Sequence, residues 1–406
     1  MKCYAQHGAL QGDKTLEGIR SGYIDGVIYS PRDIKAAKLA EHIDSVANAN
    51  GGADQFFDPQ YYAAFNVGHD EARRGHLPTE YSEYFRLRRR RDLESNLDNI
   101  RADIRDCLGF QANLPLAGLI SPNVLISRSF DSVEAVISKN FIRLAGEVHA
   151  KSKSRKPLYI TLALSREALM DEHELIEFLT DITLLDQPPA GFYLLVASRN
   201  EDARTDIYNA DVIGAWMLVN YTLALNGYSV INGYSDILTP FLGVAGAAAG
   251  ATGWWSNLRT FSLGRFLPSV GGRLPVQRYL SKLLMNRITF FELHQLRTMY
   301  PAVLNGLETD ALYPADAGSE PDRPNEVLQS WEAIKSLCGD LCCETVADSV
   351  TCCEDAMAQA KKAYDQIASK IRLDSKSNAD HLPALEEGLK VFVRLAEIPS
   401  PIAKEV

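Results

Sequence analysis

Residues 2–57 read KCYAQHGALQGDKTLEGIRSGYIDGVIYSPRDIKAAKLAEHIDSVANANGGADQFF. Three short apolar runs, Lys2–His7, Gly26–Tyr29 and Asp54–Phe57, alternate with two amphipathic stretches at 13–21 and 33–49. Short apolar runs bounded by turn residues are typical of strands, and apolar positions at 3.6-residue spacing are typical of helices. This alternation therefore predicts consecutive βαβ units and a parallel sheet.

The same alternation continues to about residue 256. Further strands are predicted at 118–120, 158–164, 191–197, 228–232 and 249–254, with helices at 132–150, 171–185, 206–225 and 237–247. Eight such repeats in roughly 250 residues are the inventory of one (β/α)8, TIM-like barrel. A doubly wound open sheet is the alternative, because closure cannot be inferred from strand count. We therefore predict a barrel at 1–256. Residues 257–406 are predicted to form a basic segment, a Pro-rich linker and acidic helices packed on the barrel.

The third connection is longer than the others, which predicts an inserted Arg-rich helical segment at 64–113. It follows a strand, so it is expected at the C-terminal face, where barrel enzymes keep their sites. Seven arginines lie between residues 73 and 91, and this segment is predicted to bind a protein partner. The alternative is a solvated helix whose arginines pair with Glu83, Asp92 and Glu94.

Composition excludes several classes of protein. Hydrophobic residues at 46% and charged residues at 23% are ordinary for a soluble globular chain. The net charge of −10 argues against a globally basic nucleic-acid binder. The most apolar run, 237–255, is broken by Pro240 and glycines, so no membrane span is expected. A polar N-terminal stretch and seven cysteines, an odd number, favour a cytoplasmic protein with reduced thiols.

Candidate catalytic residues follow the predicted strands, where a barrel places its active site. Asp58 follows two phenylalanines and precedes Pro59, so it cannot begin a helix and is the leading carboxylate. Asp33 and Asp236 are also candidates, although either could cap the helix that follows it. His7 ends the first strand, and its usual pKa near neutrality suits a general acid or base.

Candidate anion-binding residues lie at the same strand ends and in the loops after the seventh and eighth strands. In such barrels these loops often bind phosphate through backbone N–H groups, and glycine lets the backbone approach a ligand closely. The alternative is that the small residues here only permit tight packing. The residues predicted to bind substrate or phosphate are Arg32, Arg166, Arg199, Gly233, Tyr234, Gly253, Trp254, Arg259 and Arg273.

Residues 237–291 contain no acidic side chain and six basic ones. A local positive field beside the predicted site would attract an anion, and the aromatic residues among these cations suit stacking against bases or sugars. The alternative is that the cations pair with the acidic C-terminal helices and fold them back onto the barrel. An acidic tail that covers a basic patch would act as a gate, so deletion after residue 325 would raise affinity for an anion.

No cofactor is predicted, because the chain lacks the spaced histidines or cysteines of common metal sites. A divalent metal held by His7, Asp58 and Asp236 is compatible with the sequence. The cysteines at 338–353 follow a Cys-x3-Cys-Cys-x8-Cys-Cys pattern. This pattern favours buried helical packing, with metal or redox chemistry as the alternative.

Two functions fit these features. The first is an enzyme acting on a phosphate-bearing substrate, such as a nucleotide, nucleic acid or phosphosugar, by hydrolysis or transfer at a glycosidic or N-glycosidic bond. Asp58 would act as nucleophile or electrostatic stabiliser, with Asp236 or His7 as acid or base. The second is a non-catalytic barrel subunit that binds protein or nucleic acid through the Arg-rich insertion and the basic segment.

Overall fold

The computed structural model describes residues 1–8, 12–65, 74–199, 208–266, 276–316 and 320–399. Within these ranges one parallel sheet runs in the order β3-β2-β1-β9-β8-β7-β6-β4, with β5 also paired to β6. Its strands are β1 Lys2–His7, β2 Gly26–Tyr29, β3 Asp54–Phe57, β4 Leu119–Ile120, β5 Leu125–Ile126, β6 Leu158–Ser165, β7 Gly191–Ala197, β8 Ser229–Asn232 and β9 Ala249–Thr252.

The two ends of this sheet meet. The backbone N–H of Ala117, just before β4, donates to the carbonyl of Gln55 in β3 at 2.9 Å. The sheet therefore nearly closes on itself, with helices between successive strands. The predicted (β/α)8, TIM-like barrel is confirmed, and the open-sheet alternative is wrong.

The fourth strand of the barrel is split into β4 and β5, which both pair with β6. Pro122 lies in the gap and has no N–H to give to a ladder. The side chain of Asn123 takes over part of the pairing, since its Nδ2 donates to the carbonyl of Thr161 at 2.7 Å. The sequence predicted β4 but not β5.

Helices connect the strands of the barrel and pack around it. They are α1 Lys14–Arg20, α2 Ala36–Ala49, α3 Leu77–Glu80, α4 Arg90–Glu94, α5 Leu97–Ala112, α6 Val133–Lys151, α7 Glu172–Thr183, α8 Ala210–Leu225 and α9 Thr239–Val244. The predicted insertion at 64–113 ends in α5, which packs against α6 and β4. This helix therefore serves as the crossover between β3 and β4, a position that every (β/α)8 barrel fills.

The later elements are α10 Ser256–Arg259, the hairpin of β10 Arg278–Ser281 with β11 Asn286–Thr289, α11 Phe290–Met299, α12 Arg323–Leu341, α13 Val346–Ala368 and α14 Leu382–Leu395. Helix α12 packs against β1 and between α1 and α9. The Nε1 of Trp331 on α12 donates to the carbonyl of Thr252 at the end of β9 at 3.2 Å. Helices of 257–406 were predicted to pack on the barrel, but the sequence did not predict that one of them would take a place in the barrel's outer ring of helices.

The hairpin, α11 and parts of α13 and α14 enclose a second hydrophobic core that includes Tyr279, Ile288 and Tyr364. Helix α14 also packs along α8 of the barrel. The extension therefore packs against both halves of the barrel, through α12 on β1 and α1 and through α14 on α8. None of the helices in the described ranges combines the length and the apolar character that crossing a bilayer needs.

Candidate functional site

A buried carboxylate lies at the C-terminal end of β3. Asp58 has no exposed surface. Its Oδ2 accepts hydrogen bonds from the hydroxyls of Tyr62 at 2.9 Å, Tyr193 at 3.2 Å and Tyr234 at 3.4 Å. Its Oδ1 accepts from the backbone N–H of Gln60 at 3.0 Å. We call Asp58 and these three tyrosines the tyrosine cluster.

Burial raises the pKa of Asp58 to about 6, because a charged carboxylate loses its hydration inside the barrel. The backbone N–H of Gln60, the hydroxyls of Tyr62 and Tyr193, and the charge of Arg265 oppose this rise without cancelling it. Asp58 can therefore gain and lose a proton close to neutral pH, as a general acid or base must.

Arg265 extends the cluster to a second carboxylate. Its Nη1 donates to the hydroxyl of Tyr234 at 2.9 Å, and its Nη2 donates to Asp33 Oδ2 at 2.5 Å. Arg32 donates to the other oxygen of Asp33, also at 2.5 Å. Asp33 does not cap α2, whose N-cap residue is Lys35. The structure thus brings together Asp33, Asp58, Arg32 and Tyr234, four residues predicted from the sequence.

The backbone beside this cluster is strained. Gln60, Tyr234 and Asp236 have φ values of 51°, 54° and 40° and are three of the five non-glycine residues with positive φ in the described ranges. All three follow β3 or β8 at the C-terminal end of the barrel. A positive φ in a side-chain-bearing residue costs free energy and is concentrated at functional sites.

A separate cavity of about 170 Å³ opens beside Tyr234, between the barrel and its extension. We call it the cationic cavity, because five basic side chains line it and Asp236 is the one acidic residue among its described lining. Two of the basic residues, Arg166 and Arg259, were predicted from the sequence as anion-binding. The basic lining residues are Arg166, Arg259, Arg278, Arg287 and Lys376.

Asp236 is clamped by two hydrogen bonds from Arg287, at 2.6 and 2.8 Å. The hydroxyl of Thr252 donates to its Oδ1 at 2.6 Å. Burial disfavours the ionised carboxylate, but the charges of Arg287 and Arg259 outweigh that effect and hold the pKa of Asp236 below its usual value. Asp236 therefore stays anionic, and the structure does not link it to Asp58.

His7 is not brought to these carboxylates. Successive residues of a strand face opposite sides of the sheet. Gln6 accepts from the Tyr193 hydroxyl at 3.5 Å inside the barrel, so His7 faces the helix layer. Its ring centre lies 5.1 Å from that of His42 on α2 and 5.5 Å from that of Trp254. The predicted acid–base role of His7 beside Asp58 has no support in this geometry.

The two glycines predicted to approach a phosphate serve packing instead. The N–H of Gly233 donates to the carbonyl of Leu194, and that of Gly253 donates to the carbonyl of Leu258, both at 2.9 Å. A Cβ on Gly233 would lie 2.6 Å from the hydroxyl of Tyr193. Neither N–H is available to a ligand, and Gly233 leaves room for the tyrosine cluster.

Arg199 lies outside the cationic cavity. Its Nε donates to Glu167 at 2.6 Å, and the Arg199 side chain is 69% exposed. Trp254 belongs instead to a neighbouring cavity, where the ammonium of Lys14 lies 4.0 Å from its ring centre. Arg273 lies outside the described residues.

Of the acids predicted to pair with the arginines of the insertion, Asp92 lies 3.9 Å from Arg91, and other arginines pair with acids that were not predicted. Arg88 binds Asp103 through two hydrogen bonds of 2.6 and 2.9 Å. Arg86 binds Asp106 at 2.7 Å, and Arg90 pairs with Glu134. Arg73 lies outside the described residues. A protein or nucleic-acid partner at 73–91 stays a prediction, with these three arginines already engaged within the chain.

Basic side chains of residues 237–291, the segment without acidic residues, pair with acidic side chains that follow it in the chain. Arg259 contacts Glu326 at 3.4 Å, Arg278 contacts Asp374 at 3.0 Å and Lys282 contacts Asp340 at 2.7 Å. All three pairs join residues within 257–406, so they tie the basic segment to later parts of the extension.

Within the part of the chain that is described, no group of three or more His, Cys, Asp or Glu side chains could hold a metal ion. The metal site considered for His7, Asp58 and Asp236 is not assembled, because these side chains lie in three different environments. Among the cysteines, the sulfurs of Cys343 and Cys352 lie 3.2 Å apart near the surface.

The protein has little similarity to known proteins. No family model matches the sequence, and none of the curated proteins matches it. Among solved structures, dihydrodipicolinate synthase from Oceanobacillus iheyensis is 11% identical, with a TM-score of 0.24, over 97% of this chain and 96% of that one. A likeness this weak carries no argument about function.

Proposed function

We propose that the protein is an enzyme that binds a phosphate-bearing substrate in the cationic cavity and cleaves or transfers at a glycosidic or N-glycosidic bond. The observation that carries the proposal is the charge of the cavity, where five basic side chains face one carboxylate. The cavity also lies at the C-terminal end of the barrel, where (β/α)8 enzymes act.

The acidic partners of these cations do not remove their capacity to bind phosphate. Asp236 occupies two N–H groups of Arg287, and Glu326 and Asp374 each contact one nitrogen of an arginine. A guanidinium has five N–H donors in a planar fork that suits phosphate. Such carboxylates also fix the arginine planes before a ligand arrives, which lowers the entropy cost of binding.

Tyr234 connects this cavity to the tyrosine cluster. It lines the cavity, and its hydroxyl contacts both Asp58 and Arg265. Burial raises the pKa of Tyr234 above its usual value, so its phenol stays protonated in the free enzyme. We assign Asp58 the role of accepting the phenolic proton as positive charge develops on the substrate, while Arg265 stabilises the phenolate. The oxygen of Tyr234 then stabilises the positive charge that develops at the sugar carbon as the glycosidic bond breaks. The leaving group keeps the bonding electron pair and takes a proton from water, and the remaining hydroxide of that water adds to the sugar carbon. Tyrosine replaces the usual carboxylate nucleophile in some glycosidases.

This assignment changes the role expected for Asp58. A direct nucleophile must reach the substrate, but Asp58 is fully buried and is absent from the described lining of the cavity. Asp58 therefore acts through Tyr234.

The binding half of the proposal is tested by calorimetric titration with ribose 5-phosphate. We expect Arg278→Gln to weaken binding about tenfold or more, because a charge-assisted hydrogen bond contributes roughly 1.5–3 kcal/mol. Arg199→Ala is the matched control, since Arg199 is an arginine at a strand end outside the cavity. An absence of binding to the wild-type protein, or equal losses in the two variants, contradicts the proposal.

The catalytic half is tested by chromatographic detection of free base or free sugar released from nucleotides and phosphorylated glycosides. Tyr234→Phe keeps the ring but lacks the hydroxyl, so we expect release to be lost while ribose 5-phosphate still binds. Full activity in Tyr234→Phe would remove the assigned role of Tyr234.

A further inference from the structure

A second, larger cavity of about 740 Å³ adjoins the cationic cavity. We call it the outer cavity. The two share Ser256, Arg259, Arg278 and Lys376 in their linings. Its volume lies within the range of roughly 300–1,000 Å³ that is usual for small-molecule sites. A single ligand can therefore occupy both spaces.

Both cavities are lined by basic and apolar side chains, and they differ in the exposure of their aromatic residues. Trp216 in the cationic cavity is buried, whereas the outer cavity contains a tryptophan that is only partly covered. Trp255, Val276, Pro324 and Val327 give the outer cavity an apolar surface. Trp255 is half-buried, which leaves part of its ring available to a ligand. Its neighbour Trp254 is already covered by the Lys14 ammonium, so Trp255 is the better stacking surface.

The outer cavity also has polar groups at its edge. The carboxylates of Glu326 and Asp374 line it, and they are the partners of Arg259 and Arg278 at the boundary with the cationic cavity. Carboxylates accept hydrogen bonds, so they can receive the N–H groups of a flat heterocycle that stacks on an aromatic ring. A flat apolar face with N–H donors at its edge describes a nucleobase.

We propose that the ligand is a nucleoside monophosphate, with its phosphate in the cationic cavity and its base stacked on Trp255 in the outer cavity. This inference rests on the proposed function and narrows its substrate class. A phosphosugar would fill only the cationic cavity and leave the apolar wall exposed to water. Base–aromatic stacking tolerates any base, so it fixes the class of ligand and not the identity of the base.

Three probes separate the contributions of the two cavities. The full chain is titrated calorimetrically with ribose 5-phosphate, AMP and adenosine. We expect AMP to bind at least about tenfold more tightly than ribose 5-phosphate, a difference of about 1.4 kcal/mol, because stacking adds to phosphate binding. Adenosine is expected to bind more weakly than AMP, since it lacks the charged group.

Variants at Trp255 test whether the tighter binding of AMP comes from the outer cavity. Trp255→Leu should abolish the advantage of AMP over ribose 5-phosphate and leave ribose 5-phosphate binding unchanged. Trp255→Phe should retain most of the advantage, because it keeps an aromatic face. Phe291→Leu is the matched control, since Phe291 is an aromatic residue that is 67% exposed on α11.

The outcomes distinguish the two proposals. If ribose 5-phosphate and AMP bind the wild-type protein equally, the nucleotide inference is overturned and the phosphate site stands. Equal losses of both ligands in Trp255→Leu also overturn it. If neither ligand binds the wild-type protein, the proposed function falls with it. The wild-type comparison decides the matter even if Trp255→Leu fails to fold.

Discussion

The tyrosine cluster and the cationic cavity each contain a carboxylate at the end of a barrel strand, yet the two carboxylates are held in opposite ways. Asp58 receives hydrogen bonds from neutral hydroxyls and one backbone N–H, whereas Asp236 receives two from the Arg287 guanidinium. Burial raises the pKa of both groups. At Asp236 the directly bonded Arg287 outweighs the effect of burial, so the net pKa of Asp236 is lowered. Asp58 has no directly bonded cation among the described residues, so its net pKa stays raised.

In the proposed mechanism, this difference gives the two carboxylates different roles. Asp58 can exchange a proton near pH 6, while Asp236 stays anionic and orients Arg287. A group that must accept and release protons needs a pKa near the working pH. The geometry therefore favours Asp58 for proton transfer and gives Asp236 an orienting role.

The largest expected effect comes from Asp236→Asn. Removal of this charge leaves Arg287, whose side chain is 13% exposed, without its anionic partner. Breaking one partner of a buried ion pair costs about 3–5 kcal/mol. We expect a loss of this size in the free energy of unfolding, measured by urea denaturation at pH 7.

The matched variant is Asp236→Asn combined with Arg287→Met, which removes both charges. We expect the double variant to recover part of the lost stability, because no uncompensated charge remains. A loss below about 1 kcal/mol in Asp236→Asn would mean that the pair is effectively solvated.

The second effect is a dependence of folding stability on pH, and the contributions of Asp58 and Asp236 to it have opposite signs. The folded pKa of Asp58, about 6, exceeds its usual value of 3.8, so folding favours the protonated form. Its contribution to stability is therefore full below about pH 4 and is lost as the pH rises through 6. Across this window the loss is about 3 kcal/mol.

Asp58→Asn removes this titration. We expect it to match the wild type at pH 4 and to be more stable at pH 7, in urea denaturation series at both values. Asp236 contributes in the opposite direction, since its lowered pKa adds stability that is lost as the pH falls below its usual value of 3.8. If Asp58→Asn and wild type showed parallel pH profiles, Asp58 would not titrate in this window.

A third, smaller effect separates the tyrosines. Tyr62→Phe removes the shortest hydroxyl contact to Asp58, 2.9 Å, and Tyr234→Phe removes the longest, 3.4 Å. Each donor favours the ionised carboxylate, so each removal should raise the pKa of Asp58 further, and Tyr62→Phe should raise it more. Titration of a ¹³C-labelled aspartate signal measures the shift. We expect each variant to lose about 1 kcal/mol at pH 7.

The sequence predicted the barrel because parallel strands buried on both faces appear as continuous apolar runs. The predicted bounds of β1, β2, β3 and β7 match the structure. The helix at the eighth position could not be predicted, because it comes from 323–341 after a long excursion. The hairpin of the extension was also missed, since its strands are short and carry Arg278 and Arg287 beside apolar residues.

The residues of the candidate site were anticipated where they follow strands and were missed where they lie inside a strand or come from a distant segment. Asp33, Asp58 and Tyr234 follow strands and were found by that rule. Tyr193 lies in the middle of β7 and faces inward by the two-residue alternation, a signal that was present but unused. Arg287 belongs to the extension, and only tertiary packing brings it to Asp236.

The smallest expected effect on stability comes from Arg199. This residue also shows that a position directly after a barrel strand does not by itself place a side chain in the candidate site. It follows β7, as Arg166 follows β6, but it pairs with Glu167 at the surface, where the two side chains are 69% and 32% exposed. Solvent screens such pairs, which contribute roughly 0.2–1 kcal/mol. We expect Arg199→Ala to lose less than about 1 kcal/mol of unfolding free energy in urea, and less still in 1 M salt, where the Debye length falls to about 3 Å. A loss comparable to that of Asp236→Asn would show that exposure is a poor guide to the strength of ion pairs on this face of the barrel.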